Sequence, residues 1–243
     1  MTIVTFNRKE FEKKIGWFNE KMQERITMFG TPIEYVRDDE IAIEVFPNRP
    51  DLLSFAGFSR SFFAFLGKKV KNEYNVKKSG KKLILKNLPK QWSYAFACIV
   101  KGISFNDERI KEIVAIQEKL GETFLRKRKK GGIGLYPLDK IKFPVQFFGK
   151  NPDLIRFRPL EFPTIITGRQ ILSQHPTGRM YGNICKDWNL VPVFVDATGT
   201  TMSMPPIINS HYVGKIDTAT KDVFIEATGS DSIALKQAIT IIA

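Results

Sequence analysis

The sequence has few of the residues from which catalytic and metal sites are usually built. Its 243 residues include two cysteines, Cys98 and Cys185, and two histidines, His175 and His211. The cysteines form no CxxC pair and no cluster has the spacing of metal ligands, so we predict neither a disulfide framework nor a metal site. A P-loop is excluded because no GxxxxGK[ST] motif is present. A Ser-His-Asp arrangement cannot be read from the sequence either.

Long apolar runs are also missing. No stretch approaches the roughly 20 apolar residues of a membrane span. The first residues, MTIVTFNRKEF, lack the basic-then-apolar order of a signal peptide. Together with the low cysteine content, this indicates a reducing compartment, and we expect a protein of the cytoplasm without a membrane partner. The composition is otherwise that of an ordinary globular chain, with 43% hydrophobic and 26% charged residues.

The charge of the chain is strongly one-sided, with a formal net charge of +13. An excess of this size favours a polyanionic partner such as nucleic acid, although lysine-rich surfaces also keep proteins in solution. Five successive cations, Arg126 to Lys130, precede a pair of glycines. Because five like charges repel one another, we interpret the run as a phosphate-binding segment, and a solvated loop is the alternative. The predicted RNA contacts are Arg126, Arg128, Lys129 and Lys130.

Helical and alternating patterns interleave irregularly along the chain, which predicts an α+β fold with mixed sheets. The lysine-rich residues 68–90 have weak periodicity and indicate a linker or an exposed ribbon. We therefore predict a small N-terminal α/β domain over residues 1–86 and a mixed α+β domain over residues 87–243. In the first domain a PNRPD turn, with Asp51 as the predicted N-cap, precedes a helix rich in phenylalanine. We expect these rings in the core rather than stacked on RNA bases.

The segment from Met202 to Asp231 carries the strongest local signals. Its Pro-Pro pair at 205–206 lacks backbone donors and predicts a rigid turn rather than a central strand. A later run alternates as a strand with Glu226 on an inward face, although a surface acid at a strand edge is the alternative. Asp231 is placed to cap a final helix. We expect polar residues at facing strand ends to form a small pocket, with these members: Ser203, Asn209, Ser210, Glu226, Thr228 and Gly229.

This segment resembles the editing domain of the phenylalanyl-tRNA synthetase beta subunit of the archaeal and eukaryotic type. The runs PPIIN (205–209) and FIEATG (224–229) are similar to signature segments of that family. A segment far upstream, EVFPNRPDLLSFAGFSRSFFAFLG (44–67), looks like another element of the same subunit, and its order and spacing relative to the C-terminal segment also fit. The resemblance covers nearly the whole chain. It is loosest at Gln91 and Trp92, where family members tend to have an Arg-Pro pair.

The resemblance implies the N-terminal part of a phenylalanine–tRNA ligase beta subunit, acting as an aminoacyl-tRNA ester hydrolase that removes tyrosine attached in error to tRNA(Phe). The whole enzyme would use ATP and magnesium and would contain an alpha subunit in a heterotetramer. We expect this portion to bind neither cofactor. Because the chain ends in what should be a helix of the editing domain, we expect a fragment. An RNA-binding module without chemistry and a subunit-interaction domain are the alternatives.

The specificity problem of such an enzyme assigns roles to the pocket residues. An apolar pocket rejects an added hydroxyl only about 10²-fold, so a second site that reads the phenol hydroxyl is needed. We predict that Glu226 is the hydrogen-bond acceptor of that site. The other predicted substrate-binding residues are Ser203, Met204 and Pro206. The predicted catalytic residues, which would orient the ester carbonyl and a water, are Asn209, Ser210, Thr228 and Gly229.

The two histidines receive minor roles. His211 follows Ser210 directly, so it could lie near the pocket, but neighbouring strand residues point to opposite faces. His175 is expected in a loop. The resemblance implies hydrolysis assisted by the ribose hydroxyl of the substrate, which needs no protein nucleophile.

Overall fold

The computed structural model describes residues 2–70 and 74–243. The chain divides into two compact units, Met1–Lys77 and Lys78–Ala243. The predicted boundary after residue 86 differs from this division, because the strand Leu83–Lys86 pairs with a strand of the second unit. Helices and mixed sheets occur together, so the predicted α+β class is confirmed. No helix in the described ranges is both long and apolar enough to cross a bilayer.

The N-terminal unit builds its core from aromatic rings. Its elements are β1 (Thr2–Asn7), α1 (Arg8–Lys14), α2 (Glu20–Met28), β2 (Ile33–Val36), β3 (Glu40–Val45) and α3 (Phe55–Phe65). Strand β3 lies between β1 and β2 and pairs antiparallel with both. Phe58 and Phe62 of α3 are fully buried, and the rings of Phe6 and Phe58 lie 5.1 Å apart. The prediction that the phenylalanines of this helix lie in the core is confirmed for these two rings, whereas Phe65 is 43% exposed.

The start of α3 differs from the prediction. Pro50–Leu53 forms a short 3₁₀ helix, and the α-helix begins only after it. Ser54 is the N-cap, since its Oγ accepts a hydrogen bond from the backbone N–H of Gly57 at 2.9 Å. The carboxylate of Asp51 instead accepts both a 2.8 Å bond from Arg49 and a 3.2 Å bond from Ser61. The predicted cap at Asp51 was therefore wrong by one helical turn.

The second unit contains three sheets and most of the chain. Its elements are β4 (Leu83–Lys86), β5 (Tyr94–Val100), α4 (Asp107–Lys119), β6 (Gly131–Pro137), β7 (Val145–Lys150), β8 (Arg156–Phe157), β9 (Ile166–Thr167), α5 (Gly168–Gln174), α6 (Pro176–Tyr181), β10 (Val191–Val195), β11 (Thr201–Met204), β12 (Ile208–Asn209), β13 (Val223–Gly229) and α7 (Ser232–Ile242). One sheet has the order β12-β11-β10-β7-β4, another the order β5-β13-β6, and β8 pairs with β9. Strand β4 runs parallel to β7, whereas the other paired strands are antiparallel.

The five-stranded and the three-stranded sheets pack against each other through one apolar cluster. Its largest members are Trp92, Tyr136, Phe147, Phe194 and Phe224. Strand β13 lies in the middle of its sheet, and each of its seven residues is buried. Helix α7 packs on the other face of this sheet, and Asp231 caps it as predicted, with Oδ1 accepting from the N–H of Ala234 at 3.0 Å. A side chain on the inner face of β13 is therefore enclosed between two sheets.

Candidate functional site

A cavity of about 480 Å³ lies in the second unit beside β6 and β13. Its walls come from α4 and the turn after it, from β6 and β13, from the Pro-Pro turn and from the segment that follows β12. The lining residues that matter for chemistry are Arg128, Pro206, Asn209, His211 and Glu226. A volume of this size lies within the range of small-molecule sites and has room for an aromatic amino acid.

Glu226 reaches the cavity from the inner face of β13 and is 2% exposed. Gly134 of β6 stands opposite it in the sheet register. A Cβ at Gly134 would lie 2.3 Å from Oε1 of Glu226 and 2.6 Å from the hydroxyl of Tyr136, so the missing side chain leaves room for both groups. Burial raises the pKa of Glu226 to about 8, because the charged form is poorly solvated there.

The hydroxyl of Tyr136 is the centre of a buried polar network. It lies 2.8 Å from Oγ of Ser203, 3.2 Å from Oδ1 of Asn209 and 3.2 Å from Oε1 of Glu226. Burial also raises the pKa of Tyr136 well above its usual value, so the phenol keeps its proton. The sequence reading gave no role to Tyr136. The signal was present: Gly132, Gly134 and Tyr136 alternate on one face of a strand, and interior glycines mark a close approach.

Two buried side-chain atoms in the described chain have no hydrogen-bond partner, and both belong to residues that line this cavity. They are Oε2 of Glu226 and Nδ1 of His211. Buried polar atoms are nearly always paired, because each unpaired one costs about 1–3 kcal/mol. Two orphans at one cavity therefore point to a ligand with polar groups.

The sequence predicted that Ser210 faces the cavity and that His211 points away from it, but His211 lines the cavity and Ser210 does not. Ser210 is fully buried, its Oγ accepts a 3.3 Å bond from the N–H of Tyr212, and it does not line the cavity. An isolated bridge between Pro159 and Ser210 and a bond from the N–H of His211 to the carbonyl of Arg158 hold this segment. The alternation of a regular strand does not apply there, because β12 ends at Asn209.

Four further predicted residues lie behind the wall of the cavity. Ser203 meets Tyr136 as described, and Met204 belongs to the apolar cluster on the far side of its sheet. Thr228 uses its Oγ1 to accept a 3.1 Å bond from the indole N–H of Trp92. Gly229 ends β13 so close to the neighbouring strand that a Cβ would lie 2.1 Å from the carbonyl oxygen of Lys130. Thr228 and Gly229 do not line the cavity.

The basic run divides into inward and outward side chains. Arg128 lines the cavity, donates to the carbonyl of Pro206 at 2.9 Å, and lies 4.2 Å from the ring centre of Tyr181. Burial lowers the pKa of Arg128. Lys130 forms a 2.7 Å ion pair with Asp231. Their neighbours Arg126, Lys127 and Lys129 are exposed.

His175 lies in the bend between α5 and α6, in agreement with the predicted loop position, but it is buried. It is 4% exposed and forms the N-cap of α6, where Nδ1 accepts a 3.2 Å bond from the N–H of Thr177. Its other ring nitrogen lies 3.0 Å from the carbonyl oxygen of Leu160. Over residues 2–70 and 74–243, no group of three or more His, Cys, Asp or Glu side chains is arranged to hold a metal ion.

Relatives of this chain share both its sequence and its fold. It is 35% identical over its full length to the phenylalanine–tRNA ligase beta subunit of Archaeoglobus fulgidus, and 34% identical to that of Methanosphaera stadtmanae. The chain belongs to the family of phenylalanine–tRNA ligase beta subunits. It spans 44% of the length of both relatives. No protein-family model matches it.

A solved structure places the chain within the family's subunit. The crystal structure of an N-terminal fragment of the phenylalanyl-tRNA synthetase beta subunit from Pyrococcus horikoshii is similar to it, with a TM-score of 0.90 and 28% identity. The similarity covers 99% of this chain and 72% of that fragment. The chain therefore corresponds to the N-terminal part of the beta subunit.

The Trp92–Thr228 hydrogen bond gives a stability prediction. Thr228→Val keeps the shape of the side chain but leaves the buried indole N–H without an acceptor, and we expect it to lower the free energy of unfolding by about 1–3 kcal/mol. Urea unfolding followed by circular dichroism measures this change. The control is Thr218→Val on an exposed turn, with an expected effect within about 0.5 kcal/mol. Equal stabilities for the two variants would remove the structural role of Thr228.

The buried acid predicts a dependence of stability on pH. The folded chain keeps the Glu226 proton up to a pKa of about 8, whereas the unfolded chain releases it near the ordinary pKa of 4.5. Stability relative to Glu226→Gln should therefore fall as pH rises between these values and level off above them. Unfolding midpoints of both proteins across this pH range test the prediction. A constant difference between the two would show that the pKa of Glu226 is not raised on folding.

Proposed function

We propose that this portion of the ligase hydrolyses the ester that joins tyrosine to tRNA(Phe). The observation that carries the proposal is Oε2 of Glu226, a buried acceptor in a cavity wall that nothing in the described chain satisfies. A tyrosine side chain brings one hydroxyl that can donate to it. A phenylalanine side chain of the same shape brings none and leaves the acceptor unpaired.

The size of this effect matches the discrimination that the enzyme needs. Leaving one buried acceptor unpaired costs about 1–3 kcal/mol, and every 1.4 kcal/mol is about tenfold in rate or affinity. An apolar aminoacylation site rejects a substrate with an extra hydroxyl only weakly. A site built to bind that hydroxyl rejects the analogue without it. The two sites together would therefore exclude tyrosine better than either one alone.

The hydrolytic step is a simple exchange of bonds. A water adds to the ester carbonyl, the bond from this carbon to the ribose oxygen breaks, and the ribose oxygen takes up a proton. Asn209 is the one predicted catalytic side chain that lines the cavity, so it is our choice for orienting the ester. Thr228 and Gly229 support the wall through the contacts described above. A ribose hydroxyl of the substrate can assist the water, so no protein nucleophile is required.

The proposal extends to the partners of the whole protein. We infer that tRNA(Phe) and an alpha subunit in a heterotetramer are its partners and that the assembled enzyme works in the cytoplasm. The ligase reaction, with its ATP and magnesium, is assigned to parts of the enzyme outside the aligned 44% of the relatives.

The outward cations of the basic turn are our candidates for contact with the tRNA backbone. Arg126, Lys127 and Lys129 are exposed next to a residue that lines the cavity. Contacts to phosphates position a nucleic acid without reading its sequence. Such contacts would hold the acceptor end of the tRNA close to the entrance. Arg128 and Lys130 have intramolecular partners, so we assign them to the wall rather than to the tRNA.

Replacement of the acceptor tests the proposed activity. In the intact ligase, Glu226→Ala should reduce the preference for tyrosyl-tRNA(Phe) over phenylalanyl-tRNA(Phe) in deacylation by about tenfold or more, because the hydroxyl of tyrosine loses its partner. The measurement is the rate of release of each amino acid from charged tRNA(Phe).

The matched control is Glu112→Ala on the exposed face of α4, for which we expect unchanged rates. A Glu226→Ala enzyme with unchanged rates for both esters would exclude Glu226 from the reaction and favour a non-catalytic RNA-binding or interaction module. Equal losses for both esters would assign Glu226 to the architecture of the site.

Charge reversal tests the tRNA contact. The double variant Arg126→Glu with Lys129→Glu should weaken tRNA binding and lower the slope of log affinity against log salt by about 0.7–0.9 for each lost phosphate contact. Binding titrations at several salt concentrations give this slope. The control, Lys186→Glu with Lys221→Glu, makes the same change of net charge at other exposed positions of the unit. Identical slopes for the wild type and the first variant would exclude the contact.

A further inference from the structure

The network around Tyr136 has three contacts but a limited number of protons. A phenol hydroxyl donates one hydrogen bond and accepts up to two. Its three oxygen neighbours belong to Ser203, Asn209 and Glu226. One contact must therefore be a bond that Tyr136 donates, and in the other two the neighbour must be the donor.

The direction of one contact follows from the amide of Asn209. Its Nδ2 donates to the backbone carbonyl of Leu135 at 3.4 Å, so its Oδ1 faces the phenol. An amide oxygen only accepts. The proton of Tyr136 therefore lies on the bond to Asn209. Ser203 carries a rotating hydroxyl and can donate to the phenol oxygen.

The remaining contact fixes the state of Glu226. An ionised carboxylate has no proton to donate, so its Oε1 would face the phenol oxygen at 3.2 Å as acceptor against acceptor. A neutral carboxylic acid donates across this contact and completes the network. Turning the phenol proton toward an ionised Glu226 instead would leave the 3.2 Å contact with Asn209 as two opposed acceptors.

We propose that Glu226 works as a neutral carboxylic acid, which donates its proton through Oε1 to Tyr136 and presents Oε2 as a free carbonyl acceptor to the substrate. Tyr136 is then a positioning residue, because it fixes which oxygen carries the proton. The identity of the substrate rests on the function proposed above. The protonation of Glu226 does not.

The surroundings of Glu226 agree with an uncharged group. It forms no ion pair in the described chain, and its neighbours in the sheet register are Gly134 and Ala97. The nearest polar groups from the facing sheet, Ser203 and Asn209, are neutral. The other ionisable side chains that line the cavity are Glu118, Arg128, Glu161, His211 and Lys215. The raised pKa of Glu226 points the same way.

Glutamine is the structural mimic of a neutral glutamic acid, and this makes the test direct. In Glu226→Gln the amide N–H donates to Tyr136 and the amide oxygen takes the place of Oε2. We expect the intact ligase with this change to keep its preference for tyrosyl-tRNA(Phe) within about threefold, whereas Glu226→Ala loses about tenfold or more. If Glu226 instead acted as an ionised carboxylate, both variants would lose the preference for tyrosyl-tRNA(Phe).

The outcomes separate the two proposals. Loss of the preference in a folded Glu226→Gln enzyme, with the same loss in Glu226→Ala, would overturn the neutral acid and leave the proposed function standing. Unchanged rates in Glu226→Ala would overturn the proposed function. The wild-type preference should also decline above pH 8, where Glu226 ionises, while that of Glu226→Gln stays constant; a blank without enzyme corrects for spontaneous hydrolysis.

Infrared spectroscopy tests the protonation without any assay of activity. The chain at pH 7 should show the carbonyl band of a protonated carboxyl group, which disappears on titration through a pKa of about 8. In Tyr136→Phe the band should shift, because the carboxyl proton loses its acceptor. A wild-type spectrum at pH 7 without the band would overturn the proposal, even if Glu226→Gln fails to fold. An unshifted band in Tyr136→Phe would remove the positioning role of Tyr136.

Discussion

The burial of one carboxyl group between two sheets is the constraint on which the site depends. A buried acid is tolerated only when its polar atoms find partners or when it stays uncharged. Here Tyr136 from β6 contacts the carboxyl group, and its hydroxyl also contacts Ser203 from β11 and Asn209 at the end of β12. The network around Glu226 therefore also ties the two sheets to each other.

The position of β13 explains why the constraint can be met. Because the strand has a neighbour on each side and a helix on one face, its backbone is fully paired and its inner side chains have fixed directions. Phe224 joins the apolar cluster, Thr228 binds Trp92, and Glu226 lies between them. The apolar cluster on one side and the hydrogen-bonded indole of Trp92 on the other restrict the conformations of the Glu226 side chain. A specific site needs this preorganisation.

Local patterns in the sequence were sufficient for this strand and its surroundings. The alternation of β13, the cap at Asp231 and the turn at the Pro-Pro pair all depend on neighbours within a few residues. The role of Tyr136 depends instead on a contact between residues 90 positions apart, which no local pattern contains. The position of His211 depends on the isolated bridge between Pro159 and Ser210, which replaces regular strand geometry there. Sequence reasoning found the acid and missed the group that holds it.

The turn between α4 and β6 connects the surface of the unit to the cavity. Arg126, Lys127 and Arg128 have φ values of 52°, 53° and 60°, a left-handed conformation that costs roughly 1–2 kcal/mol for each such residue. The contacts of Arg128 with Tyr181 and with the carbonyl of Pro206 offset this cost. The same backbone turn that aims Arg128 inward leaves its neighbours exposed to solvent. A tRNA bound to those neighbours would therefore rest on a segment that itself forms part of the cavity wall, so that docking and the shape of the site depend on one turn.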